Sequence, residues 1–342
     1  MATSEPGNVP FITVVMPVRN EARFIAKTLG QLLAQEYSAD RFEIIVADGM
    51  SDDGTRETVL ALAKEHRQII LMDNPKRLSS AGRNVGFRNG KGDYFLVVDG
   101  HCLVPDNQLF KNIVDCFSRS GADCLGRPQP LDPPGLTTFQ RSVALARESR
   151  LGHGGDSLIY GEYEGFASPV SNGAAYARHV FDKIGYVDES FDAAEDVEFN
   201  YRVEQAGFTC YTSSKLTIRY YPRESLSGLF RQMTRYGKGR RRFTKKHSRA
   251  LTVNQLIPAM FVLGVCALVI SSTVYIFSGI VAPLLLAVAP FCLYLLMLVA
   301  ETVRIAIRDG VQYAVPVPAI IFVIHFAVGC GFLNEASQHS NG

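Results

Sequence analysis

The chain has 342 residues, with 35 Lys and Arg against 33 Asp and Glu, a net charge of +2, and 47% hydrophobic residues without a tryptophan. This near balance excludes a strongly basic nucleic-acid binder, and no nucleic-acid partner is expected. Only five charged residues, Glu301, Arg304, Arg308, Asp309 and Glu335, follow Ala250. The composition therefore describes a charged soluble domain joined to an apolar tail, and excludes both a wholly soluble enzyme and a many-span transporter.

The first ten residues carry neither a basic flank nor an apolar stretch, so no signal peptide is expected. Phe11–Pro17 is a short β-branched run and reads as a strand. Glu21–Gln35 reads as a helix, with Phe24, Ile25, Leu29, Leu32 and Leu33 at helical spacing. Strand Phe42–Asp48, helix Thr55–Glu65, strand Ile69–Met72, helix Ser79–Gly90, strand Asp93–Asp99 and helix Gln108–Arg119 follow. Such alternation argues for an α/β fold, a mostly parallel sheet flanked by helices. Further on, Asp192 and Glu195 fit the N-cap and N3 of a capping box, with Asp196 in the first turn of the helix it would start. Leu226, Leu229, Phe230 and Met233 form one apolar stripe of a helix beginning near Ser225. That helix suits a membrane interface.

Arg235–Arg249 holds eight Lys or Arg in fifteen residues and no acid. Three uncharged segments come after it: Leu256–Phe277 and Gly279–Ala300, of 22 residues each, and Val315–Leu333, of 19. At about 1.5 Å per residue each reaches across a hydrocarbon core of roughly 30 Å, the third only just; a re-entrant helix is the other reading of that third segment. The basic run before the first span places the preceding domain in the cytoplasm and would attract anionic lipid. His325 lies inside the third span, either as a functional group or as a bridge between helices. The domain division is then 1–225, a catalytic domain; 226–252, an interfacial helix and basic juxtamembrane segment; and 253–342, a transmembrane tail. The seven cysteines are scattered, odd in number and free of C-x-x-C pairs. Reduced thiols in a cytosolic setting are expected rather than a zinc cluster or a disulfide framework.

Ligands of parallel sheets bind beyond the carboxyl ends of the strands. There the chain reads Pro17-Val18-Arg19-Asn20-Glu21, then Asp48-Gly49-Met50-Ser51-Asp52-Asp53-Gly54-Thr55, then Asp99-Gly100-His101. No G-x-G-x-x-G is present, which argues against a dinucleotide-binding domain. A sugar-nucleotide pyrophosphorylase would need a glycine-rich phosphate loop after the first strand, and Val18–Glu21 has none. The carboxylate and imidazole of Asp99 and His101 suit one divalent cation, the imidazole inclining the choice toward Mn²⁺ over Mg²⁺.

Taken together and in order, these residues resemble the family 2 glycosyltransferases of the GT-A fold. Pro17–Glu21 is similar to that family's nucleotide-site start. Asp48–Thr55 resembles its D-D-G-S-x-D-G-T loop, with Gly49 and Met50 in place of the second Asp and the first Gly. Ala81–Gly86 resembles its A-R-N-x-G helix, and Glu195-Asp196 its E-D motif. Asp99-Gly100-His101 stands at its D-x-D, with His for the second Asp. Gln232–Tyr236 resembles Q-x-x-R-W, with Tyr for Trp. Within the family, the succinoglycan-type (ExoA-like) membrane glucosyltransferases share the D-x-H form, Asn74-Pro75-Lys76, the phrase Gly185–Phe191 and the membrane tail.

The resemblance implies an inverting hexosyltransferase that takes a nucleotide-diphosphate sugar, a UDP-sugar, and acts on a polyprenyl-linked lipid in exopolysaccharide or cell-surface glycan synthesis. Asp196 is implied as catalytic base, with Glu195 and Arg235 as catalytic neighbours. Pro17, Asn20, Glu21, Asp48, Lys76, Arg83, Asp99, Gln232 and Tyr236 are implied at the donor. Asp99 and His101 would hold the divalent cation, Mn²⁺ or Mg²⁺. Ser171, Asn172 and Gly173 are expected at the acceptor, after the Gly-rich stretch Arg150–Asn172, which reads as a lid or as a connector and contains His153 as a surface residue. The implied partners are the donor, the lipid acceptor, membrane lipids and other exopolysaccharide assembly enzymes. The implied location is a bacterial-type inner membrane, crossed more than once, with the catalytic domain in the cytoplasm. A transferase acting on polyprenyl phosphate itself, and an inactive membrane-anchored nucleotide-sugar scaffold, are the alternatives.

Overall fold

The computed structural model describes residues 9–152 and 157–337; the expectations for His153, Gly154 and Gly155 lie outside the described residues. The chain divides into two compact units, one of residues 1–133 and 158–221, the other of residues 134–157 and 222–342.

The first unit opens with strand β1 (Ile12–Val18), helix α1 (Ile25–Leu33), β2 (Phe42–Asp48), α2 (Thr55–Glu65), β3 (Ile69–Asp73), α3 (Ser79–Asn89) and β4 (Tyr94–Val97). The ribbon strand β5 (Cys102–Leu103), α4 (Leu109–Ser120) and β6 (Cys124–Gly126) follow. The second unit then contributes α5 (Thr138–Glu148). The first unit resumes with β7 (Gly165–Phe166), α6 (Pro169–Asn172), β8 (Gly173–Ala177), α7 (Arg178–Ile184), α8 (Glu195–Gln205), β9 (Cys210–Thr212) and β10 (Arg219–Tyr220). The main sheet has the order β3-β2-β1-β4-β8-β6-β9-β7, and only β8 and β7 run against the others.

Alternation along β1 explains why the sheet is covered on both sides. Ile12, Val14, Met16 and Val18 pack with Ile25, Leu29 and Leu32 of α1 and Phe110 and Ile113 of α4. Val15 faces the other way, toward Phe87 of α3, Phe181 of α7 and Phe199 of α8. The chain moves outward from β1 to β3 and then returns through α3 to place β4 on the far side of β1. The carboxyl ends of β1 and β4 therefore flank the point where strand order reverses, the crevice where such sheets bind ligands.

Three local expectations are corrected. Helix α1 starts at Ile25 rather than Glu21, because Asn20 takes a left-handed φ of 57° and the Glu21 carbonyl closes a turn by accepting from Phe24 and Ile25 N–H, both at 2.9 Å. Strand β4 ends at Val97, two residues before Asp99, which frees Asp99-Gly100-His101 to turn. The capping box at Asp192 and Glu195 does not form: the N-cap of α8 is Ala194, in a left-handed conformation, and no side chain among the described residues caps it.

The second unit is helical: α5, then α9 (Leu226–Lys246), α10 (Val253–Ser278), α11 (Ala282–Asp309) and α12 (Pro316–Ser337). Ser225 caps α9 by accepting from Gly228 N–H. Among the described residues three helices, over Asn254–Ser278, Ala282–Asp309 and Pro316–Glu335, are long and apolar enough to cross a membrane. The third is the most enclosed, with 44% of its apolar window buried against 11% in each of the others. Its Val317, Ile320, Ile321, Ile324 and Ala327 form a core with Val143 of α5 and with Leu229 and Met233 of α9. The predicted stripe of α9 thus splits, Leu229 and Met233 inside, Leu226 and Phe230 exposed. Glycines make the α9–α12 crossing close: a Cβ on Gly237 would strike the Val328 carbonyl, and one on Gly331 the Thr234 carbonyl. Helix α11 continues past the expected end at Ala300, so Glu301 and Arg304 pair along it. His325 bridges: Nε2 lies 2.6 Å from the Leu151 carbonyl, which can only accept, and Nδ1 lies 3.2 Å from the Tyr294 hydroxyl. All seven cysteines are free thiols, as expected.

Candidate active site

The site is built from the loops at the β1–β4 switch and from the starts of α3 and α8. The loops after β1 and β2 are joined by side chains. Asn20 donates through Nδ2 to Asp52 Oδ1 at 2.9 Å and accepts from Asp52 N–H at 3.1 Å. Its own N–H donates to Ser51 Oγ at 2.9 Å. Glu21 N–H donates to Thr55 Oγ1 at 2.7 Å, and that hydroxyl donates to Asp53 Oδ1 at 2.5 Å. Asp48 is fully buried at the end of β2; it accepts from Ser51 Oγ at 2.5 Å and lies 3.4 Å from Arg56, which also pairs with Asp73 at 2.7 Å. Met50, standing where the resembled loop has Gly, takes a left-handed φ of 59°. That conformation costs a side-chain-bearing residue about 1 kcal/mol or more.

Asp99 and His101 follow β4. His101 Nδ1 lies 2.8 Å from Glu21 Oε1. The turn between them is pinned by Thr28, whose Oγ1 lies 2.9 Å from the Gly100 carbonyl and 3.0 Å from that of Cys102. The Tyr220 ring meets His101 edge-on, with centroids 6.2 Å apart, because β10 pairs with β5 and sets Tyr220 opposite Cys102. Burial pushes the Tyr220 hydroxyl and the Cys102 thiol well up, so both stay neutral.

Arg83, on α3, lies 3.5 Å from Glu195, and its guanidinium is only 13% exposed. Burial opposes its charge, but Glu195, Asp196 and Asp99 together hold it protonated and push its pKa up. Charges from motifs distant in sequence thus act on one cation. Glu195 is buried; burial raises its pKa, Arg83 pulls it down and the Asp196 charge pushes it up again. Asp196 is exposed in the first turn of α8, its Oδ1 accepting from Val197 N–H at 2.9 Å.

The remaining expected residues have these surroundings. Pro17 lies on β1 against Gly82 of α3, where an added Cβ would come within 2.9 Å of it. Lys76 pairs with Glu189 at 2.6 Å. Asn172 is buried and accepts from Thr212 Oγ1 at 3.1 Å, while Ser171 and Gly173 are half-buried. Gln232, Arg235 and Tyr236 lie on α9 of the second unit, where Tyr236 carries the Arg147 guanidinium 5.8 Å above its ring. Among the described residues, no three His, Cys, Asp or Glu side chains gather closely enough to hold a metal ion by themselves.

Two contributors were not read from the sequence. Asn84 of the A-R-N stretch is buried and clamps the segment before α8: it bonds Val187 N–H at 2.9 Å, the Val187 carbonyl at 2.8 Å and Glu189 at 2.7 Å. Arg127, after β6, is 2% exposed and donates from Nη2 to the Val97 carbonyl and to the Tyr220 hydroxyl, each at 2.9 Å. Its Nε and Nη1 have no hydrogen-bond partner among the described residues. Nothing in the local pattern Gly-Arg-Pro marks such a residue.

Residues 9–239 match the sequence model described as "Glycosyltransferase like family 2". The succinoglycan biosynthesis protein ExoA of Rhizobium meliloti (strain 1021) is 30% identical over 324 residues, 94% of either chain. A Methanococcus voltae protein, the dolichyl N-acetyl-alpha-D-glucosaminyl phosphate 3-beta-D-2,3-diacetamido-2,3-dideoxy-beta-D-glucuronosyltransferase, is 24% identical over 94% of this chain and 96% of its own. The mannosyltransferase PcManGT of Pyrobaculum calidifontis, solved with GDP-Man and Mn²⁺, shares the fold with a TM-score of 0.60 at 17% identity, over 96% of this chain and 88% of that one. The matched family model spans most of the chain and the relatives span nearly all of it: the chain belongs to the family 2 glycosyltransferases.

Proposed function

We propose that this glycosyltransferase moves a sugar from a UDP-sugar to a polyprenyl-linked acceptor at the membrane, with inversion, in exopolysaccharide or cell-surface glycan synthesis. The observation that carries the reading is the Arg83–Glu195 pair at 3.5 Å, which joins the A-R-N and E-D motifs, with the charges of Asp99 and Asp196 helping to hold Arg83 protonated. Asp196, exposed in the first turn of α8, takes the proton of the acceptor hydroxyl as it attacks the anomeric carbon. One displacement with one base inverts that carbon. Glu195 holds Arg83 beside the base. Ser171, Asn172 and Gly173 would face the acceptor.

Asp99 and His101 fit a divalent cation, Mn²⁺ or Mg²⁺. They offer a carboxylate and an imidazole whose other nitrogen is engaged by a carboxylate, the usual setting of a metal-bound histidine. When bound, the cation neutralises charge on the departing diphosphate. Pro17, Asn20, Asp48 and Lys76 would shape the donor side, and Gln232, Arg235 and Tyr236 keep the donor and phosphate roles that the resemblance gives them. The basic run before the first span favours a cytoplasmic catalytic unit. The name of the Methanococcus voltae relative describes transfer onto a dolichyl-linked sugar phosphate, in keeping with a lipid acceptor.

The test is nucleotide release. Membranes holding the chain receive a panel of UDP- and GDP-sugars with lipid extract, and Mn²⁺ and Mg²⁺ are supplied separately. One UDP-sugar should yield free UDP and a labelled lipid, and Asp196→Asn should abolish both while keeping donor binding. Labelling of soluble sugars alone would remove the lipid acceptor from the reading. Donor binding with no turnover on any lipid would favour a scaffold.

A further inference from the structure

We infer that Glu21 is a positioning residue for His101: it fixes which ring nitrogen is presented to the divalent cation, and Gly100 is glycine so that Glu21 can reach. The inference rests on the reading of Asp99 and His101 as the cation's ligands.

Glu21 Oε1 lies 2.8 Å from His101 Nδ1. A carboxylate only accepts, so this contact puts the hydrogen on Nδ1 and makes Nε2 the coordinating nitrogen. Glu21 is itself held at three points. Its N–H donates to Thr55 Oγ1, its carbonyl closes the turn into α1, and its side chain crosses Gly100. A Cβ at Gly100 would come within 2.9 Å of Glu21 Cγ and 3.2 Å of its Cβ, and within 3.1 Å of Val18 Cγ1. Any side chain there would push Glu21 off the imidazole. The opposite side of the turn is fixed by Thr28, so the backbone cannot yield instead. The ring is flanked by Phe24 and Tyr220, with centroids 6.4 and 6.2 Å away, which limits its rotation.

The arrangement also explains why histidine suits position 101 in this chain. An aspartate there would set a second carboxylate against Glu21, and like charges in contact repel. Glu21 and His101 therefore act as a matched pair that links the first strand's loop to the cation, with Thr55 and Asp53 behind it.

The experiment is a double-substitution cycle on the full-length chain in detergent, read by Mn²⁺ affinity in the presence of UDP and by the imidazole-nitrogen coupling in pulsed electron paramagnetic resonance. Glu21→Ala should weaken Mn²⁺ binding about 10- to 100-fold at saturating UDP and diminish the nitrogen coupling. Glu21→Gln, whose Oε1 still accepts, should lose less, and Gly100→Ala should imitate Glu21→Ala. In a His101→Asp background the sign should reverse, Glu21→Ala leaving Mn²⁺ affinity equal or higher. Equal Mn²⁺ affinity in wild type and Glu21→Ala overturns the inference, and so does the same loss in both backgrounds. Absence of Mn²⁺ binding in the wild type, with UDP bound, would instead overturn the metal reading on which it rests. If Glu21→Ala fails to fold, the Gln and Gly100 variants decide by the same readouts.

Discussion

Replacing Asn84 by Ala tests whether the A-R-N stretch serves the fold or the ligand. The Asn84 side chain makes three hydrogen bonds of 2.7–2.9 Å to Val187 and Glu189, and both Asn84 and Val187 are buried. The substitution strands the Val187 N–H and carbonyl together. Each unsatisfied buried group costs about 1–3 kcal/mol, and a total of about 3 kcal/mol, within the range for two such groups, is expected. For a unit of this size that is a fall in Tm of about 6–12 °C. Asn84→Asp should be no better, because it sets a second carboxylate against Glu189. The assay is thermal unfolding of the detergent-solubilised chain, with UDP-binding measured below the transition. A Tm within 2 °C of wild type together with complete loss of UDP binding would refute the reasoning and make Asn84 a ligand contact.

Four shorter predictions follow from the same contacts. Hydrogen bonds from Asn84 and Lys76 hold the Glu189 carboxyl below its ordinary value, so its stabilising contribution is present above that value and lost as pH falls through the lowered one. Acid unfolding followed by tryptophan-free near-ultraviolet signals should therefore be less steep in Glu189→Gln than in wild type. Arg83→Met leaves Glu195 buried beside Asp196 without its cation, which should destabilise the first unit by about 3–5 kcal/mol; a Tm like that of wild type would contradict it. Gly331→Val drives a side chain into the Thr234 carbonyl, a backbone atom that cannot rotate away, and should cost about 1–3 kcal/mol or more, visible as aggregation or a lowered Tm in detergent. Asp196→Asn should lower turnover about 10²- to 10⁴-fold with donor affinity retained; loss of donor affinity instead would move Asp196 from base to donor contact.

Much of the fold was legible because it is local. Strand β2 and helix α2 have the bounds that their patterns predicted, since β-branched runs and a three-to-four apolar repeat report their own secondary structure. The three apolar helices were equally plain, because length and hydropathy are properties of a segment by itself. Errors arose where a local rule competed with a distant partner. Asp192 and Glu195 have the spacing of a capping box, yet Glu195 is drawn inward to Arg83 and the helix starts from Ala194. Glu21 fits a helical repeat, yet its backbone turns so that its side chain can cross Gly100.

By itself the sequence determined the α/β alternation, the family motifs in their order, and an apolar tail behind a basic run. Only the tertiary structure decided which of those residues meet. Glu21 finds His101, 80 positions away, because α3 brings β4 back beside β1. Asn84 finds Val187, 103 positions away, and Arg127 comes to rest on the Val97 carbonyl. Helix α5 joins the helical unit although it lies between strands of the sheet in the chain. The physical reason is one of range: periodicity is encoded within a few turns, whereas these pairings follow from strand order and close packing, which no window of sequence contains.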